Sequence, residues 1–166
     1  MGCSPVAATW ELRASMPEDD MFLFGLYAAS RQLEIESWGW DETQTETFLR
    51  MQWRMQARSY EMQYPDAESL ILTQGDERIG RCLLQHAEAH DRLIDLSIAP
   101  EQRNRGLGTS MLQALQRNAE RRKVPLLLSV TYGNPARRLY ERLGFQLAGT
   151  DASGLYLSMR WTGMDI

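Results

Sequence analysis

Arg103-Asn104-Arg105-Gly106-Leu107-Gly108 stands between a short apolar strand pattern, Leu93 to Ile98, and a helical pattern that runs from Thr109 onward, with Pro100 just upstream. Glycines and arginines therefore sit where a strand turns into a helix N-terminus. Free backbone N–H groups and the positive end of the helix dipole favour an anion there, and a phosphate above all. Glycine lets the backbone come close, and the arginines add local positive charge. The stretch predicts a phosphate site at the carboxyl end of a strand.

The rest of the chain limits what that phosphate can belong to. With 166 residues, 43% of them hydrophobic and 24% charged, the chain has the size of one ordinary domain. We expect an N-terminal tail over residues 1–9 and a single domain over residues 10–166. A formal net charge of -4 argues against nucleic acid as a partner, because such binding rests on neutralising backbone phosphates. Cys3 and Cys82 are too few and too far apart for a disulfide framework, so free thiols and a cytoplasmic setting are expected. No apolar run reaches membrane-spanning length, Met1 to Thr9 lacks the features of a secretory signal, and Val6 stands where a myristoylation signal needs Ser or Thr. No membrane partner is expected.

Trp10 to Ala14 reads as a strand, and Pro17-Glu18-Asp19-Asp20 is suited to start a helix that extends to about Leu33. Glu34 to Thr43 reads as a loop carrying Trp38, Trp40 and Asp41. Its aromatics either cap the core or wall a substrate pocket whose acids attract a cationic amine. Thr45 to Met62 has helical periodicity, with Met51, Met55 and Met62 expected as adaptable core filler. Three strands of a meander follow over Ser69–Thr73, Ile79–Gln85 and Arg92–Ile98. Cys82, His86 and His90 fall four apart, a spacing that gathers metal ligands only on a helix, so no metal site is expected in this strand and turn. A helix then leads to the continuous apolar run Leu126 to Val130, read as a strand covered on both faces and parallel to Leu93–Ile98. The cations Arg117, Arg121, Arg122 and Lys123 at that helix's end read as a solvated last turn. Asn134-Pro135-Ala136 starts a further helix that Gly144 ends, and two strands close the chain.

A dinucleotide fold would want glycine at Met111 and an acid at Thr131, and a P-loop would want Gly-Lys-Ser or Gly-Lys-Thr instead of Gly-Leu-Gly-Thr. Neither pattern is met. Instead, Arg103-x-x-Gly106-x-Gly108 followed by Asn134-Pro135-Ala136-x-x-Leu139-Tyr140-x-x-Leu143-Gly144-Phe145 resembles the GNAT superfamily of acetyl-CoA-dependent N-acetyltransferases. The order of strands and helices from Trp10 to Trp161 agrees with it, so the resemblance covers most of the chain. It implies an α/β fold, a mixed sheet of about six to seven strands with a splayed central parallel pair and four helices.

The resemblance also implies that the backbone of Arg103, Asn104, Arg105, Gly106, Leu107, Gly108 and Thr109 holds the pyrophosphate of acetyl-CoA, with no metal. Leu96, Ser97 and Ile98 would pair with the pantetheine amides like an added strand, and Asn134, Ala136 and Arg137 would face the cofactor. Tyr140 matches the family's general acid. Asp95 is the candidate base if its side chain faces the substrate, with Glu34, Asp41 or ordered water as alternatives. Trp38, Trp40, Asp41 and Ser129 are the candidate pocket residues, and Ser129 stands where certain protein N-terminal acetyltransferases have Glu. The implied activity is acetyl transfer to a primary amine of a small molecule by direct attack in a ternary complex. A protein N-terminal or lysine acetyltransferase and a non-catalytic acyl-CoA binding module are the alternatives. A homodimer is compatible with the sequence.

Overall fold

A computed structural model describes residues 9–163. Cys3 and nearly all of the expected tail, residues 1–9, lie outside the described residues. Seven strands form one sheet: β1 (Glu11–Ala14), β2 (Glu68–Gln74), β3 (Glu77–His86), β4 (Asp91–Ile98), β5 (Leu126–Thr131), β6 (Gln146–Thr150) and β7 (Tyr156–Trp161). Their spatial order is β1-β2-β3-β4-β5-β7-β6. Four helices accompany them: α1 (Asp20–Glu36), α2 (Glu42–Gln63), α3 (Leu107–Arg122) and α4 (Ala136–Arg142). Fold class and element order agree with the sequence-based expectation. Among the described residues only the β4–β5 pair is parallel, and α3 makes the crossover between its strands.

Strand alternation sorts the core onto two faces. Leu72, Cys82, Leu84, Leu93, Leu126, Leu128 and Met159 bury themselves against Met111, Leu112, Leu115 and Ala119 of α3. Their strand neighbours Ile71 and Leu83 are also buried but lie outside that cluster, on the opposite face with α1 and α2. Cys82 thus packs in the core, far from the geometry of a metal ligand. Contrary to the reading of Leu126–Val130 as covered on both faces, β5 alternates: Leu126, Leu128 and Val130 are buried while Ser129 is exposed. The clefts under α1 and α2 are lined from β2, β3 and β4 and by no residue of β5. The methionines of α2 also depart from expectation. Met51, Met55 and Met62 are exposed, and Leu49 is the buried residue of this helix.

β4 and β5 pair over three positions only, Asp91 with Leu126, Arg92 with Leu127 and Leu93 with Leu128. The divergence has a cause in the neighbouring ladder. Leu84 of β3 pairs with Leu93 and Leu83 with Asp95, which leaves Ile94 as an extra, unpaired residue of β4. Such a bulge bends the strand and raises its twist. Past Ile94 the strand turns away from β5, and its edge from Asp95 to Ile98 faces a gap. Gly80 permits this course: a Cβ there would lie 2.6 Å from the Ser97 carbonyl oxygen.

Two buried carboxylates pin the ends of the sheet. Asp91, at the start of β4, accepts from His86 Nδ1 at 2.9 Å and pairs with Arg122 of α3, so Arg122, exposed like Arg117, Arg121 and Lys123, also ties the helix end to the sheet. Asp19 is fully buried at the entry to α1, where Arg13 of β1 grips both of its oxygens at 2.8 Å and Arg78 of β3 binds one of them at 2.8 Å. The Met16 N–H donates to it as well. Arg13 first, then the Met16 N–H and Arg78, hold the carboxyl well below the ordinary range, against the opposing effect of burial.

Asp19→Asn is expected to lower stability by about 2 kcal/mol in denaturant unfolding near neutral pH, because a buried neutral amide accepts fewer and weaker bonds from Arg13, Arg78 and the Met16 N–H than the carboxylate does. The depressed folded-state pKa gives the sign of the pH effect. The Asp19 contribution is complete above the unfolded carboxylate value of about 3.9 and is lost as pH falls towards the folded value. Equal stabilities of wild type and variant at pH 7 would remove Asp19 as the anchor of this corner.

Candidate active site

The 103–108 stretch forms the connection that its composition predicts. After a single 3-10 turn at Pro100–Gln102, Asn104 and Gly106 take left-handed conformations, φ 64° and 76°, and α3 begins at Leu107. The N–H groups from Asn104 through Thr109 have no backbone acceptor among the described residues, whereas Ser110 already bonds back to Gly106. A row of unsatisfied donors at the positive end of a four-turn helix is an anion cradle. The Arg103 side chain donates through Nε to the Ile98 carbonyl at 3.2 Å and so fastens the loop to the end of β4. Arg105 instead donates to Gln102 Oε1 at 3.3 Å.

This cradle opens into a cleft of about 1160 Å³ that follows the gap beside β4. Its walls include Asp95, Leu96, Ser97 and Ile98, the loop residues Arg103, Asn104 and Gly106 to Thr109, and Asn134, Ala136 and Tyr140 around α4. Asn134 holds the start of α4 by accepting from the Ala136 N–H at 2.9 Å, and Gly144 ends that helix at φ 93°.

Asp95 pairs across the sheet with Leu83, which puts its side chain on the α1–α2 face, and it lies 3.5 Å from Arg81. Burial pushes its carboxyl up, while Arg81 and the Leu96 N–H pull it back. Burial, reinforced by the Asp95 charge, also raises the Tyr140 phenol above its ordinary value. Tyr60 of α2 is pushed up to about 12 by burial and then by Asp95. A carboxylate, a guanidinium and a protonated phenol, from Asp95, Arg81 and Tyr140, therefore line this cleft, and the Tyr60 phenol lines an adjoining cavity under α2. Arg81 Nε is buried there without a hydrogen-bond partner among the described residues. Cys82, on the reverse face of β3, has its thiol pushed up by burial and stays protonated.

Most residues singled out in the sequence thus come together, and some do not. Arg137 pairs with Glu141 along α4 at 2.8 Å and is not a wall of the cleft. Trp38 and Trp40 pack tilted against each other and edge-on against Phe48, with ring centroids 5.1 to 5.5 Å apart. Asp41 caps α2 by accepting from the Gln44 N–H at 2.8 Å. Ser129 is exposed on β5. None of these four lines the cleft. Arg81, which does line it, was not among the expected site residues. A charge alternating with Ile79 and Leu83 in a central strand was the available signal for Arg81.

Residues 65–147, half of the chain, match the family described as acetyltransferase (GNAT) domain. The chain belongs to the GNAT acetyltransferase family. Solved structures of the same fold agree. PaiA N-acetyltransferase from Thermoplasma acidophilum, crystallised in complex with coenzyme A, is 19% identical, with a TM-score of 0.66 over 93% of this chain and 99% of its own. The ribosomal-protein-S18-alanine N-acetyltransferase from Escherichia coli is 18% identical, with a TM-score of 0.59 over 95% and 99%. Nourseothricin acetyltransferase is 27% identical, with a TM-score of 0.50 over 59% and 66%. A search of curated protein sequences gives no match. In this GNAT acetyltransferase the family match includes β4, the cradle and Tyr140.

A Cβ at Gly106 meets nothing within 4 Å, so the demand for glycine there is conformational only. Gly106→Ala is expected to cost about 1–2 kcal/mol of stability and to weaken calorimetric binding of coenzyme A. Unchanged values for both would show that the left-handed turn is dispensable.

Proposed function

We propose that residues 10–166 form an acetyl-CoA-dependent N-acetyltransferase that acts on the primary amine of a small molecule by direct attack in a ternary complex. The observation that carries this reading is the gap beside β4, with unsatisfied loop donors at one end and the Asp95–Tyr140 pair at the other. Acetyl-CoA would supply the activated thioester. The donors from Asn104 to Thr109 suit its pyrophosphate. The free edge of Leu96 to Ile98 suits its amides, and Asn134 and Ala136 flank the same cleft.

Asp95 takes the proton from the attacking amine. A carboxylate whose pKa lies above the ordinary range is a better base than an unperturbed one. Tyr140 gives a proton to the departing sulfur, a role that its raised pKa suits by keeping the phenol protonated. Cys82 is held as a thiol in the core and is no candidate for a covalent acetyl carrier. The likeness to an acetyltransferase named for nourseothricin favours a small acceptor over a protein terminus.

Thiol release from acetyl-CoA is expected with members of a broad amine panel, and silence across the whole panel would overturn the assignment. Tyr140→Phe should lower kcat about a hundredfold while coenzyme A still binds. kcat/KM should rise with pH as Asp95 loses its proton, above the ordinary carboxylate range, and fall again only at alkaline pH where Tyr140 ionises. Asp95→Asn should remove the Asp95 part of the acidic limb in the pH profile. A profile identical to wild type would exclude Asp95 as the base.

A further inference from the structure

A second cavity, about 710 Å³, lies between α2 and the sheet and shares Leu23, Gln56 and Arg81 with the reaction cleft. Its charge is opposite to that of the whole molecule. Arg50, Arg54 and Arg58 line it from α2, and Arg81 lines it from β3. The three helical arginines are four residues apart and so stack on one face, where like charges repel. Among the described residues only Arg50 is compensated, by Glu46 at 3.0 Å and by the Phe24 ring at 4.3 Å. Asp20 and Glu61 also line the cavity, yet among the described residues neither lies within 4.0 Å of Arg54 or Arg58. Arg81 adds the buried, unpartnered Nε at the wall between the two cavities.

Arg54 and Arg58 stand exposed at the rim of this cavity, one wall away from the reacting groups, free to meet an anion from solvent. We propose that this cavity binds an anionic group of the acceptor, a carboxylate or a phosphate, and thereby presents the amine at the other end of the same molecule to Asp95. Arg54 and Arg58 engage the anion, and Arg81 bridges from it to the reaction cleft. The acceptor class is then an amine with a negatively charged tail. This inference rests on the acetyltransferase reading above for the step that follows binding, and on the cavity alone for binding itself.

The test uses alkyl amines of matched length that end in methyl, carboxylate, phosphate or ammonium. With the wild-type protein, kcat/KM for the carboxylate- or phosphate-tailed amine is expected to exceed that of the methyl-tailed amine by about tenfold or more, with the ammonium-tailed amine poorest. The arm that wins identifies the anion. In the R54Q/R58Q double variant the ratio of anion-tailed to methyl-tailed kcat/KM should fall towards one, and R54K/R58K should retain most of it. The preference should also weaken as salt rises. A wild-type preference for methyl or ammonium tails, or a ratio untouched in R54Q/R58Q, overturns the proposal. Calorimetry of the same amines with the coenzyme A-loaded protein separates the two readings. Binding of the anion-tailed amines that is lost in R54Q/R58Q, in the absence of any turnover, keeps this site and rejects the transferase reading. No such binding together with turnover of neutral amines does the reverse.

Discussion

Everything specific about this molecule depends on β4 holding β5 for three residue pairs and then letting go. A parallel ladder carried to the end of both strands would satisfy their backbone groups and close the sheet. Ile94, the extra residue opposite β3, bends β4 out of that ladder while Leu93 and Leu128 are still in register. The hydrophobic face stays continuous behind the gap, because Leu84, Leu93, Leu126 and Leu128 all pack on α3 below it. The sheet can therefore be open and stable at once: its apolar burial is concentrated where the strands still touch, and its unpaired backbone is concentrated where they part.

The two faces of the opening have different characters, and strand alternation decides which is which. Leu96 and Ile98 pack against the core that α3 covers, whereas Asp95 and Ser97 share the face of Arg81 under α1 and α2. One face is thus apolar and rimmed by free N–H donors, while the other carries charge. In the geometry proposed for catalysis, this lets a long anionic ligand and a smaller polar one approach the same point from opposite sides without competing for space.

How far these features were legible differs from residue to residue. The cradle and the α4 motif were readable because each is local: glycine, asparagine and proline act on their own backbone or on one a few residues away. Strand and helix positions followed from periodicity, within two or three residues at most ends. The bulge at Ile94 left no mark, since the apolar run Leu93-Ile94 reads as uninterrupted strand. The Asp91–Arg122 and Asp19–Arg78 pairs join residues far apart in the chain, and nothing in the sequence says which acid meets which arginine. The methionines of α2 followed the right period but on the wrong face. Periodicity reports that a stripe exists and not which face meets a neighbour, and here α2 buries Leu49 instead. The tryptophan loop misled for a related reason: three aromatic rings can satisfy one another, and Trp38, Trp40 and Phe48 do.

The bond from Arg103 Nε to the Ile98 carbonyl couples the cradle to the end of β4 as a rod is fixed to a bracket. An anionic ligand seated in the cradle is anchored to the same rigid piece that carries Asp95 a few residues away, so little rotational slack is left between its anchored end and its far end. In the proposed reaction, attraction at the phosphate end, which touches no reacting atom, would thereby be converted into aim. The entropy of alignment is settled at the anchor, before the second molecule arrives.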